Sequence, residues 1–254
     1  LRIVFYSLVL MAFIGYIKGT IEENRADYFM CIFCFVTALF THEASIVFPF
    51  MLLAYHFFLR RPVHGLELTT VIFFSCAYII TRGVVMNGAY TVFWQTFSQK
   101  LFTFFAIFTH AFRYLLTPFG LYRAYEKTTS LSILSIPVFL GIALFVFLLI
   151  FAFKRRGRGK TMPFAAFWFI LGSLTFFPVY LLVTPNAQPL LYFTSIGFFI
   201  CVAKCLHYAY FQVKWRTAAV MVFLLLIAGY GFFPFRHALY WSNPKKFYRI
   251  ASRQ

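Results

Sequence analysis

Few residues in this chain can do chemistry. Only six carboxylates occur among its 254 residues. One of them, Glu43, stands beside His42 in the apolar run ALFTHEASIVFPF (Ala38–Phe50). At a membrane edge a carboxylate can take a proton from an attacking hydroxyl, or it can pair with a cation. The candidate partners for Glu43 are Arg113 and Arg123, within THAFRYLLTPFGLYRAYE (Thr109–Glu126). An arginine fork could equally hold a phosphate or diphosphate of a lipid carrier. Two plainer roles stay open: a structural ion pair, or a cap on a helix beginning at Ala44. No Ser/His/Asp set, phosphate loop or zinc spacing occurs. CIFC (Cys31, Cys34) and CVAKC (Cys201, Cys205) lie at helical spacing in apolar runs, where cysteine reads as a small hydrophobe.

The elements that position these residues follow from composition. The chain is 62% hydrophobic and only 11% charged, with a mean hydropathy of +0.81. Soluble domains carry about 25% charged residues, so an integral, multi-pass membrane protein is expected. The net charge of +17 is broken up by apolar runs. Its cations read as topology signals and lipid-headgroup contacts, and not as a nucleic-acid surface. Apolar runs of spanning length predict transmembrane helices near 1–18, 24–41, 44–60, 67–86, 131–153, 163–183, 190–207 and 217–234. The expected fold is therefore an all-α polytopic membrane protein with about eight such helices. Residues 101–118 add one interfacial or re-entrant helix, and 235–254 form an extracytoplasmic segment that could lead into a repeat domain.

Loop charge gives the orientation. KRRGRGK (Lys154–Lys160) holds five cations in seven residues and belongs in the cytoplasm. LRRPVHG (Leu59–Gly65) is the second such loop. An even number of crossings must separate them, and 67–86 with 131–153 already supply two. The stretch 101–118 should therefore not cross. A single helix over 24–60 would be about 55 Å long against a hydrocarbon core of about 30 Å. A turn near Thr41–Ser45 resolves this and puts His42 and Glu43 at the outer surface, with the loop TPNAQPLLYFTSIGF (Thr184–Phe198).

Several of these stretches resemble a known family. ALFTHEASIVFPFMLLAYHFF is similar to the ALLSKE.AIVLPLLLLLYD segment of GT-C-fold glycosyltransferases, matching at Ala38, Leu39, Glu43, Ala44, Ile46, Val47, Pro49, Leu52, Leu53 and Tyr55. The nearest pattern is that of protein O-mannosyltransferase-like enzymes with C-terminal tetratricopeptide repeats. RYLLTPFGL, PLLYFTSIGFFICVA and RHALYWSNPKKFYRIA resemble further segments of that family, in the same order. The resemblance implies a polyprenyl-phosphate-linked sugar donor and transfer on the extracytoplasmic side, with no cofactor or metal. It places His42, Glu43, Arg113, Arg123, Gln188 and Tyr192 around the substrate or lipid phosphate. His42 replaces the family's lysine, and Gln188–Pro189 replace its Glu–Arg pair, while Tyr192 is kept. The family's catalytic acid is expected upstream of Leu1. The alternative is a non-catalytic GT-C-like scaffold subunit of a larger complex, and a transporter or flippase is a third reading. Expected partners are membrane lipids, a lipid-linked sugar and, for the scaffold, other membrane subunits. A bacterial inner membrane is the favoured location, with the endoplasmic reticulum as the alternative.

Overall fold

The computed structural model describes residues 2–63, 65–85, 97–116, 135–155, 159–175, 191–212 and 215–241. Among these it is all-helical and holds no strand. Nine α-helices follow in order: α1 (Arg2–Glu22), α2 (Arg25–Thr41), α3 (Phe48–Leu59), α4 (Gly65–Val85), α5 (Phe97–Leu116), α6 (Ile136–Lys154), α7 (Thr161–Leu174), α8 (Leu191–Phe211) and α9 (Arg216–Trp241). A short 3-10 turn, Glu43–Val47, joins α2 to α3. The chain divides into two compact units, one of residues 1–109 and 128–201, the other of 110–127 and 202–254.

In the first unit, α1 and α2 pack as an antiparallel pair. Asn24 starts α2 by accepting a hydrogen bond from the Ala26 N–H at 3.0 Å, the usual role of an Asn cap. Gly15 and Gly19 let the two backbones approach. A Cβ on Gly15 would stand 3.0 Å from the Asp27 carbonyl oxygen, and one on Gly19 would stand 2.9 Å from the Tyr28 ring. Helix α2 turns Tyr28, Cys31, Cys34, Phe35, Ala38 and Leu39 inward, while Phe29, Phe33 and Phe40 are 71%, 62% and 82% exposed. Rings that large on an outward face fit lipid better than water.

Ring contacts give the helix directions. Phe5, early in α1, stacks on His42 at 4.9 Å, and Phe35 late in α2 stacks on Phe48 at the start of α3. Tyr16, late in α1, meets Tyr28 and His56. Helices α1, α2 and α3 thus alternate in direction. One end of the unit holds Phe5, His42 and Glu43; the other holds Tyr16, His56 and the Arg60–Arg61 pair.

Helices α7 and α8 interlock through small residues. A Cβ on Gly172 would lie 2.8 Å from Thr194 Cα, and one on Gly197 2.5 Å from the Ala165 carbonyl oxygen. This is the close packing that small residues allow between apolar helices. The Trp168 indole N–H donates to the Phe193 carbonyl at 3.1 Å. Helix α6 begins after Ser135 with Pro137 in its first turn, where a missing N–H costs nothing. Helix α5, expected as an interfacial or re-entrant helix, runs antiparallel along α6. Phe104, Phe105 and Phe108 surround Phe145, and the Thr109 hydroxyl donates to the Pro137 carbonyl at 2.7 Å. In the second unit, the Tyr230 hydroxyl donates to the Leu115 carbonyl.

Among the described residues, four helices are long and apolar enough to cross a membrane: α1 from Ile3, α4, α6 and α8. This is half the expected eight. The other apolar stretches, 43–59, 101–116, 161–174 and 216–232, are shorter, and α2 has 17 residues. Hydropathy windows had run across turns and helix ends. Residues 131–134 and 176–183, counted within two expected spans, lie outside the described residues, as do 242–254.

Candidate functional site

The His42–Glu43 end is built by a helix that stops. After Thr41 the backbone of His42 turns extended (φ −159°, ψ 133°), and its N–H still reaches the Ala38 carbonyl at 2.9 Å. His42 Nδ1 then accepts from the Ala44 N–H at 3.1 Å, and its carbonyl accepts the Ser45 hydroxyl at 2.8 Å. The cap on the following turn is therefore His42, and not Glu43. An imidazole nitrogen that accepts a backbone N–H is unprotonated. Its ring is further held by the stack on Phe5.

Glu43, released from capping, directs its carboxylate at α4, where it forms an ion pair with Arg82. The two side chains are 11% and 30% exposed. Tyr78, one turn earlier on α4, receives an Arg82 guanidinium hydrogen bond on its hydroxyl at 2.8 Å, and the guanidinium carbon lies 5.9 Å from its ring centroid. Residues four apart on a helix face one another, so Tyr78 can orient Arg82.

Beneath this ion pair, α2 and α4 enclose a groove of about 390 Å³. Val36, Leu39 and Phe40 of α2 face Phe74, Ala77 and Val85 of α4, and Tyr78, Thr81 and Arg82 give it a polar end. An apolar channel with a guanidinium at its mouth matches an amphiphile with an anionic head: chain between the helices, phosphate at the arginine.

The expected site residues separate as follows. His42 and Glu43 are together, and among the described residues Glu43 pairs with Arg82. Tyr192 lies on the first turn of α8, 68% exposed, with its ring 5.9 Å from that of Tyr6, the neighbour of Phe5. Arg113 lies on α5 in the second unit. Arg123 and Gln188 lie outside the described residues. The residue that sequence reasoning missed is Arg82. Its signal was available: a lone cation in the last turn of an apolar span, on the same side as Glu43 by the loop-charge argument.

At the opposite end a second buried polar pair joins α1 to α3. Tyr16 Oη and His56 Nε2 are 2.6 Å apart, and His56 Nδ1 is 3.3 Å from the Arg61 carbonyl oxygen. A proton on Nδ1 satisfies both contacts, with the Tyr16 hydroxyl donating to Nε2. This pair holds the end of α3 where Arg60 takes the left-handed conformation (φ 52°).

No family model matches the chain, and no curated protein and no solved structure matches it either.

Proposed function

We propose that the chain is a polytopic membrane protein that holds a polyprenyl-phosphate-linked sugar at its Glu43–Arg82 end and acts there as a GT-C-like glycosyltransferase. The observation that carries this reading is the apolar α2–α4 groove ending at Arg82. In the transfer, an acceptor hydroxyl attacks the anomeric carbon, the sugar–phosphate bond breaks, and the lipid phosphate leaves with the electron pair and takes up the hydroxyl proton. Arg82 steadies that charge, and Glu43 with Tyr78 holds the guanidinium in place.

The distribution of charge supports an extracytoplasmic location for this end. Lys18, Arg25, Arg60, Arg61, Lys154, Arg155 and Lys160 all lie at or near the other end of the first unit, which the positive-inside rule assigns to the cytoplasm. The path of α5 bears on the number of crossings. From Phe104 to Thr109, α5 runs antiparallel along α6, with Thr109 beside Pro137 at the start of α6. That favours a re-entrant helix at 97–116 over one lying flat in the interface.

One observation favours the scaffold reading instead: Arg82 already occupies the Glu43 carboxylate, so Glu43 is not poised as a general base. Transfer assays separate the two. In proteoliposomes supplied with a labelled polyprenyl-phosphate sugar and an acceptor mixture, the enzyme reading predicts loss of label from the lipid, abolished by Arg82→Ala. Retention of the lipid-bound label by the longest natural form of the protein, with polyprenyl phosphate still bound, supports the scaffold. Absence of both turnover and binding rejects the lipid-phosphate reading.

A further inference from the structure

The opposite end of the first unit carries a second groove, formed by α3, α6 and α7 and about 480 Å³ in volume. Its walls are aromatic and aliphatic: Phe57 and Phe58 of α3, Phe153 of α6, Phe167 and Leu171 of α7, with Leu53 at the outer lip. Phe153 lies 5.8 Å from Phe57 and 6.0 Å from Phe58, and Phe167 lies 5.1 Å from Phe58. The rings form one connected surface. Lining positions on α3 run from Phe50 to Phe58, about 12 Å of helix axis. Leu53 and Phe153 are 44% and 52% exposed, so the groove opens outward, toward lipid.

The groove ends in positive charge. Arg60 and Arg61 follow its last α3 residues, and Lys154 and Arg155 follow Phe153 directly. All four are exposed, and none forms an ion pair among the described residues. The carboxylates at this end, Glu22, Glu23, Asp27 and Glu67, belong to the α1–α2 turn and the start of α4. Among the described residues, no acidic residue lines the groove. An occupant must therefore present a hydrocarbon chain about a dozen ångströms along α3 and a negatively charged head at its end.

We infer that this groove is a binding site for an anionic phospholipid of the cytoplasmic leaflet. An acyl chain lies against the phenylalanine surface, and the headgroup phosphate sits among Arg60, Arg61, Lys154 and Arg155. Such a lipid closes the seam between α3, α6 and α7 on its outer side and ties the α3 terminus to the α6 terminus. The inference depends on the membrane location of the chain and not on its being a glycosyltransferase.

Native mass spectrometry of the detergent-purified full chain, titrated with phosphatidylglycerol or phosphatidylethanolamine, tests it. Phosphatidylglycerol should bind at least tenfold more tightly. The Arg60→Asn/Arg61→Gln variant, with Asn chosen because it tolerates the left-handed position of Arg60, should lose about twenty-five-fold, from roughly fivefold per surface cation. Leu53→Trp, which blocks the lip while keeping every cation, should also lose phosphatidylglycerol. Lys18→Gln/Arg25→Gln, at the same end but outside the groove, should change binding less than threefold. Thermal unfolding of each variant checks its fold, and Lys154→Gln/Arg155→Gln replaces the first pair should that one fail to fold. Equal binding of the two lipids, undiminished binding in Leu53→Trp, or an equal loss in the control pair would overturn the inference.

Discussion

Breaking the Glu43–Arg82 pair should reveal how the candidate site is held. The pair lies between two regimes. Exposed ion pairs contribute about 0.2–1 kcal/mol, whereas removing one partner of a fully buried pair costs about 3–5 kcal/mol. Glu43 is the less exposed member, at 11% against 30% for Arg82, so the two deletions are not equivalent. Arg82→Ala strands a nearly buried carboxylate and removes the hydrogen bond to Tyr78, and should cost about 2 kcal/mol. Glu43→Gln leaves a cation that can still reach solvent and Tyr78, and should cost about 1 kcal/mol. The double variant should be less destabilised than the sum, with a coupling of about 1 kcal/mol. Denaturant unfolding of the four proteins in detergent micelles measures the cycle. Since the pair is part-buried, the coupling should survive high salt, which screens only exposed charges beyond a few ångströms. Additive single effects, or a coupling that vanishes at 1 M salt on the scale of an exposed pair, would refute the reasoning.

Other predictions concern the helices that carry this end. Gly197→Ala should destabilise by about 1–3 kcal/mol in thermal unfolding, because its new methyl meets the α7 backbone at Ala165 and Phe169. Gly83→Ala, whose methyl meets nothing within 4 Å, should instead stabilise α4 by up to about 1 kcal/mol. His42→Ala should cost about 1 kcal/mol through the lost cap, and His42→Asn should restore most of it, read by the same unfolding assay. Tyr16→Phe should cost about 1–3 kcal/mol because it strands the buried His56 nitrogen, with the loss visible as faster amide exchange at the end of α3.

The positions of Glu43 and its surroundings differ in how far hydropathy could reveal them. A length argument alone required a break between residues 24 and 60, since one helix would exceed the bilayer. Loop charge put Glu43 at the outer end, and the same argument places Arg82, near the end of the 67–86 span, on that side. Their pairing was not legible, because hydropathy does not say which helix lies beside α4 or which of its residues reaches Glu43. The same holds for Tyr16 and His56, which are 40 residues apart and meet because α2 returns the chain, so that α1 and α3 run in the same direction. The number of spans was overcounted against the helix lengths for a related reason: apolar character continues through 3-10 turns such as Glu43–Val47, where the helix does not. Cations spaced along 101–118 suggested an interfacial or re-entrant helix but gave no neighbour for it; Phe104 and Phe108 bury against Phe145 and Phe169, and that aromatic packing sets the path of this part of α5 along α6.

The most direct test of the account is photocapture by a polyprenyl phosphate carrying a photoreactive group in its first isoprene unit, with the protein in lipid nanodiscs and the adducts mapped by mass spectrometry. The account predicts labelling on α2 and α4 along the groove beneath Arg82, competed by unlabelled polyprenyl phosphate and reduced at least tenfold by Arg82→Ala, on the scale of one lost charge-assisted contact. Labelling spread over the lipid-facing helices, or unchanged in Arg82→Ala, would contradict it.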